Sequence, residues 1–158
     1  MKRSLMTLTC CSLLALPFSA FSAEHAAHSM DTGSHTAMKM MNGDSIMLGE
    51  QSVDGVKAMA HLNDVGEVMA KMGKKENYHF MVMFSDAQTG AALDQGTVAV
   101  KITDPATGQG GAAIPLMGMG GHFGADVALS AKGEYHFMVG SKLADGKKRQ
   151  YSFRYTVK

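Results

Sequence analysis

From residue 45 to the C-terminus, apolar and polar residues alternate with a period of two. Val56, Ala58, Ala60 and Leu62 alternate with Lys57, Met59 and His61, and Tyr78, Phe80, Val82 and Phe84 alternate with His79, Met81 and Met83. Successive side chains of a β-strand point to opposite faces, so both segments are predicted to be strands buried on one side. Val98, Val100 and Ile102 alternate within Thr97–Thr103, and the following Asp104-Pro105-Ala106-Thr107-Gly108 has the composition of a turn. Four more strands are predicted at Ala112–Met117, Ala125–Leu129, Tyr135–Val139 and Tyr151–Val157, with Lys132-Gly133 and Asp145-Gly146 as turns. Asp64–Lys74, DVGEVMAKMGK, has room for a turn or two of helix, but its glycines favour a loop. About seven short strands at this spacing, with no ten-residue amphipathic helix, predict an all-β fold in the form of a β-sandwich.

The first 44 residues follow other rules. Met1-Lys2-Arg3 is basic, Leu5 to Phe21 is apolar and uncharged, and Ser19, Ala20, Ser22 and Ala23 are small, as in a secretory signal. The apolar run is shorter than the ~20 residues a spanning helix needs and is interrupted by Pro17. Cleavage is expected after Ala23, or after Ser22. The tail that follows, EHAAHSMDTGSHTAMKMMNGD, has no sustained apolar period and no aromatic anchor, and it is expected to be disordered. The chain thus divides into a signal peptide at 1–23, a Met/His-rich tail at 24–44 and a sandwich domain at 45–158.

Composition narrows the chemistry. A chain of 158 residues suits one folded domain. Both cysteines, Cys10 and Cys11, lie in the signal, and neither has the small-residue context of lipid attachment. The exported chain therefore has no disulfide, thiolate nucleophile, Cys zinc site or blue-copper centre. Its expected location is the periplasm. The formal charge is +1, or −1 once Lys2 and Arg3 are lost, and the longest basic run is Lys147-Lys148-Arg149, which gives no footprint for nucleic acid. No G-x-S-x-G elbow, P-loop or H-E-x-x-H occurs, and no long helix follows Gly118-x-Gly120-x-x-x-Gly124 to present its N-terminus to a dinucleotide. The chain is read as non-enzymatic.

What remains unusual is fifteen methionines beside seven histidines. Thioethers are soft ligands that favour Cu(I), and imidazole suits copper, nickel and zinc. The tail holds His25, His28, His35, Met30, Met38, Met40 and Met41, a mixture that reads either as a metal-capture arm or as a low-complexity spacer. In the domain the pentapeptide YHFMV occurs twice, at Tyr78–Val82 and Tyr135–Val139. Alternation puts Tyr, Phe and Val of each copy in the core and the pairs His79/Met81 and His136/Met138 on the opposite face. Met59, His61 and Met83 lie on the polar side of their own strands, and Met117, Met119 and His122 fall in a Gly-rich segment expected to be a flexible turn. Taken singly, each strand methionine is also an ordinary filler of a core short of aromatics, and a lone His61 or His136 is ordinarily a solvated strand residue.

The stretches Gly121-His122-Phe123-Gly124-Ala125 and Lys132-Gly133-Glu134-Tyr135 resemble the YtkA-like and FixH-like group of small exported proteins. The match is good over about 60 residues and loose from Ser45 to Lys158. The resemblance implies an immunoglobulin-like sandwich and, for several relatives, a link to copper handling or respiratory-oxidase assembly.

Two functions of different class are expected. One is a periplasmic metal-binding protein for copper binding, delivery or resistance, taking Cu(I) by preference and Cu(II) through histidine. Its binding through imidazole would weaken below about pH 6.5, since the ring must be neutral to coordinate. The other is a non-catalytic assembly module that docks on a membrane transporter or oxidase-assembly partner through a Met-rich surface.

Overall fold

A computed structural model describes residues 45–158. Eight strands follow one another: β1 (Ser45–Val53), β2 (Val56–Asp64), β3 (Tyr78–Asp86), β4 (Gly96–Thr103), β5 (Ile114–Met119), β6 (His122–Val127), β7 (Gly133–Leu143) and β8 (Lys148–Val157). A short helix, α1 (Gly66–Lys71), lies between β2 and β3. The alternating segments are strands as predicted, and the fold is an all-β, immunoglobulin-like sandwich.

All pairings are antiparallel, in the order β1-β2-β3-β6-β5-β4-β7-β8. β5 belongs to both layers: Ile114–Leu116 pair with β4, and Met117–Met119 pair with β6. The open seam is tied by hydrogen bonds, from the Ser152 amide to Gln51 Oε1 (2.8 Å), the Tyr151 hydroxyl to the Val56 carbonyl (3.4 Å) and Arg149 Nη2 to the Asp54 carbonyl (3.3 Å). Inside, Phe80 of β3 stacks on Phe137 of β7 with ring centroids 5.1 Å apart, and Phe84 packs against Phe123 and Tyr151. Aromatic pairs of this kind add about 0.5–1.5 kcal/mol beyond the area they bury. Tyr135 is buried and its hydroxyl accepts the Ala131 amide at 2.8 Å, a tyrosine corner of the immunoglobulin type.

The structure departs from the sequence reading in four places. β1 is an eighth strand; a bulge between Met47 and Gly49 breaks its period of two. α1 forms where the glycines favoured a loop, held by buried Met69, the Lys71–Glu67 ion pair at 2.7 Å and the Gly66 amide donating to Asp64 Oδ1 at 2.9 Å. The expected Gly-rich flexible turn is a tight hairpin: Met117 and Met119 end β5, His122 starts β6, and only Gly120 (φ 54°) and Gly121 (φ 96°) turn between them. Positive φ at both loop positions is what a two-residue hairpin needs. Finally, the domain methionines are not core filler, because Met69 alone among the described methionines is buried hydrophobic core.

Candidate metal centre

Strand register gathers several sulfur and imidazole side chains on one outer face. His61 lies opposite Met81, Met59 opposite Met83, and His79 opposite both Asn63 and Asp126. Met81 and Met117 both lie opposite Gly124, and Met119 lies opposite His122. Residues directly opposed in an antiparallel pair share a face, with Cβ atoms about 4.5–5.5 Å apart. The inward partners on these strands, Ala60, Leu62, Phe80, Val82 and Phe123, are buried. The outer face of β2, β3, β6 and β5 thus carries His61, His79 and His122 together with Met59, Met81, Met83, Met117 and Met119.

At its middle lies Gly124. A Cβ there would meet His79 Nε2 at 2.7 Å, the Met119 methyl at 3.1 Å and the Phe80 carbonyl at 3.1 Å. The missing side chain is thus the space in which an imidazole nitrogen and a thioether approach each other. The rings of His79 and His122 stand edge to face, their centroids 6.4 Å apart. The Nε2 atoms of both rings are buried, and among the described residues neither has a hydrogen-bond partner. Leaving a buried polar atom unpaired costs about 1–3 kcal/mol, so two of them on one face call for a ligand.

The protonation pattern suits coordination. His79 Nδ1–H donates to Asp126 Oδ1 at 2.7 Å, which assigns the neutral ring's lone pair to Nε2. A carboxylate behind the far nitrogen is the usual support of a metal-bound histidine. His122 is pushed below the ordinary histidine pKa, first by burial and then by the neighbouring His79, and stays neutral to lower pH. Among the described residues no group of three or more His, Cys, Asp and Glu side chains is placed to hold a metal ion. The side chains on this face that could hold a soft metal are two imidazoles and the thioethers around them, of which Met119 is nearest Gly124 and Met81 and Met117 flank it. Such a mixture suits copper, and its thioethers favour Cu(I).

The second pentapeptide is elsewhere. His136 and Met138 face outward from the other layer, opposite Thr103 and Lys101 of β4 and Arg154 and Ser152 of β8. His136 Nε2 is 3.0 Å from Glu134, which also meets Arg154 at 3.5 Å. His136 and Met138 therefore stand apart from the side chains around Gly124, with the core between them. The tail residues His25, His28, Met30, His35, Met38, Met40 and Met41, and the signal, lie outside the described residues. Asp126 and Gly124, not among the expected ligands, also belong to this face. The alternation His122-x-Gly124-x-Asp126 would have placed all three on one face.

No family model matches the chain, the YtkA-like and FixH-like group included, and no curated protein matches it. Solved structures do. A copper-bound single-residue variant of FetP from uropathogenic Escherichia coli strain F11 superposes with a TM-score of 0.58 at 12% identity, covering 71% of this chain and 96% of that one. FetP of the same strain, as isolated after recombinant expression in the periplasm, gives 0.55 at 14% identity over 71% and 96%. A DUF4426 family protein from Pseudomonas aeruginosa PAO1 gives 0.51 at 15% identity over 69% and 96%. At these identities the likeness is one of fold.

Proposed function

We propose that this chain is an exported, non-catalytic copper-binding protein that holds Cu(I) between His79, His122 and Met119, with Met81 and Met117 beside them. The observation that carries this reading is the pair of buried, unpartnered Nε2 atoms on a thioether-lined face. It is supported by the fold shared with a protein crystallised with copper. The signal sends the chain to the periplasm, where the Met/His-rich tail captures metal and the sandwich face holds it for delivery or resistance. Two imidazoles allow Cu(II) as well, with lower preference.

Titration with Cu(I) against a competing chelator tests it. The His79→Ala/His122→Ala variant should lose the tight site while the tail continues to bind weakly. Equal affinity in the variant and the parent would end the reading. A second reading has one observation in its favour: Met83, Met117 and Met119 are exposed large hydrophobics, a surface on which a membrane transporter or oxidase-assembly partner could dock. Protein purified from periplasm with added copper separates the two. Near-zero copper with a partner still co-purifying would favour the assembly module.

A further inference from the structure

The outer face continues beyond the centre toward the β1 edge. Met47 lies opposite His61, and His61 lies opposite Met81, so one row across β1, β2 and β3 reads thioether, imidazole, thioether. Opposed side chains in such a row start about 4.5–5.5 Å apart at Cβ, and a methionine on each side can bring its sulfur to the ring between them. Met47 is 53% exposed, while its neighbours Ile46 and Leu48 pack against the core. His61 is half-buried and, among the described residues, makes no hydrogen bond or ion pair; it has no carboxylate such as Asp126 gives His79 or Glu134 gives His136. In the next row Glu50 of β1 faces Met59 and Met59 faces Met83, and the Glu50 carboxylate is engaged by Lys57 at 3.6 Å.

The outer rows of β4, β7 and β8 in the other layer read Thr97, Lys142, Lys148; Ala99, Gly140, Gln150; Lys101, Met138, Ser152; and Thr103, His136, Arg154, so none of these rows sets an imidazole between two thioethers.

We propose that Met47, His61 and Met81 form a second soft-metal position, separate from the centre at Gly124. The proposal rests on reading this face as metal-binding, but its residues, apart from flanking Met81, are not those of the centre. His61 on β2 and Gly124 on β6 are two strand spacings apart, about 10 Å, with Met81 between them. Two thioethers and one imidazole with no carboxylate make a site for Cu(I) or Ag(I) and a poor one for a divalent ion. Met81, opposite both His61 and Gly124, is the one side chain placed to serve either position.

The full exported chain, carrying 13C-methyl methionine assigned residue by residue, is titrated with Ag(I) as a redox-inert probe. The expected result is a shift of the Met119 methyl as the centre fills and a distinct, later shift of Met47 and Met81. His61→Ala should abolish the Met47 shift and leave that of Met119; the exposed Met47→Leu, which has no fold to disturb, should weaken the later step in the same way. His79→Ala/His122→Ala should do the reverse, keeping the Met47 and Met81 shifts and losing that of Met119. A silent Met47 beside a shifting Met119 overturns the second position and leaves the centre standing. Loss of the Met47 shift in His79→Ala/His122→Ala overturns it too, because the row would then only echo the centre. A silent Met119 beside shifting Met47 and Met81 overturns the centre instead.

Discussion

Phe80 and Phe137, the middle residues of two identical pentapeptides, lie face to face in the core with their planes 14° apart. The copies therefore meet through their aromatic sides, and everything on their alternate sides diverges. His79 and Met81 point out of one layer, His136 and Met138 out of the other. Replacing His136 by Ala and Met138 by Leu should leave the tight Cu(I) affinity unchanged, whereas the same changes at His79 and Met81 should lower it sharply. A chelator-competition titration of the two double variants checks this, and equal losses would show that both copies hold the metal.

The stacked pair also sets a stability expectation. Phe80 and Phe137 are fully buried, and removing a buried phenylalanine side chain costs about 3–5 kcal/mol because the cavity only partly collapses. Phe80→Ala should therefore show a much lower urea midpoint. Phe80→Leu, closer in volume, should lose less and keep the centre. A midpoint in Phe80→Ala close to that of the parent would contradict the packing described.

Asp126 fixes the His79 ring without touching the proposed metal position, since its carboxylate accepts from Nδ1 at 2.7 Å while Nε2 faces Gly124. Asp126→Asn keeps the shape but offers a weaker acceptor or, if its amide turns, a donor. Loss of such outer support typically costs 10–100-fold in metal affinity. The expected outcome is a fall of about that size in Cu(I) affinity with an unaltered urea midpoint. An unchanged affinity would mean that the ring is held by its packing alone.

Gly124 leaves a space that a larger side chain would crowd. An alanine Cβ would fall 2.7 Å from His79 Nε2 and 3.1 Å from both the Met119 methyl and the Phe80 carbonyl. The imidazole and the thioether can swing away; the carbonyl belongs to the sheet and cannot. Overpacking of this kind costs about 1–3 kcal/mol, and here most of it should appear as displacement of the two ligands. Gly124→Ala should fold, with its amide spectrum changed mainly near β3 and β6, and bind Cu(I) much more weakly. Parent-like binding would show that the centre does not use the space above Gly124.

Most of the sandwich was legible because a strand buried on one side writes its orientation as a period of two, as at 56–62 and 78–84. What alternation cannot state is which strand lies beside which. Nothing local in the two YHFMV copies says that one sits in each layer, and Asp126 finds His79 only through the β3–β6 ladder, 47 residues away in sequence. β1 was missed because the Met47/Gly49 bulge interrupts its alternation, and Met47 with it. α1 depends on burying Met69, a tertiary gain that outweighs the poor helix propensity of its glycines. Met117, Met119 and His122 lie close in sequence, and the hairpin holds them more firmly than a glycine loop would.

At the far end of the sandwich, Arg149 stakes stability on a single carboxylate. Its side chain is 2% exposed, and Nη1 and Nη2 donate to the two oxygens of Asp145 at 3.1 and 2.5 Å. The Arg149 hydrogen bonds, followed by the Lys147 amide and the nearby positive charges, hold the Asp145 carboxyl down at about 2, against 3.8 ordinarily. A depressed folded-state value means that the folded chain keeps the charged form where the unfolded chain has taken up a proton. The contribution is therefore complete above about pH 4 and drains away as pH falls toward 2. Asp145→Asn removes it at every pH and leaves a buried guanidinium without its anion, so the variant should be less stable than the parent at pH 7 and the gap should close through the acid window. Urea midpoints measured from pH 7 to pH 2 check this. Two curves that run parallel down to pH 2 would show that Asp145 does not carry the acid sensitivity of this end of the fold.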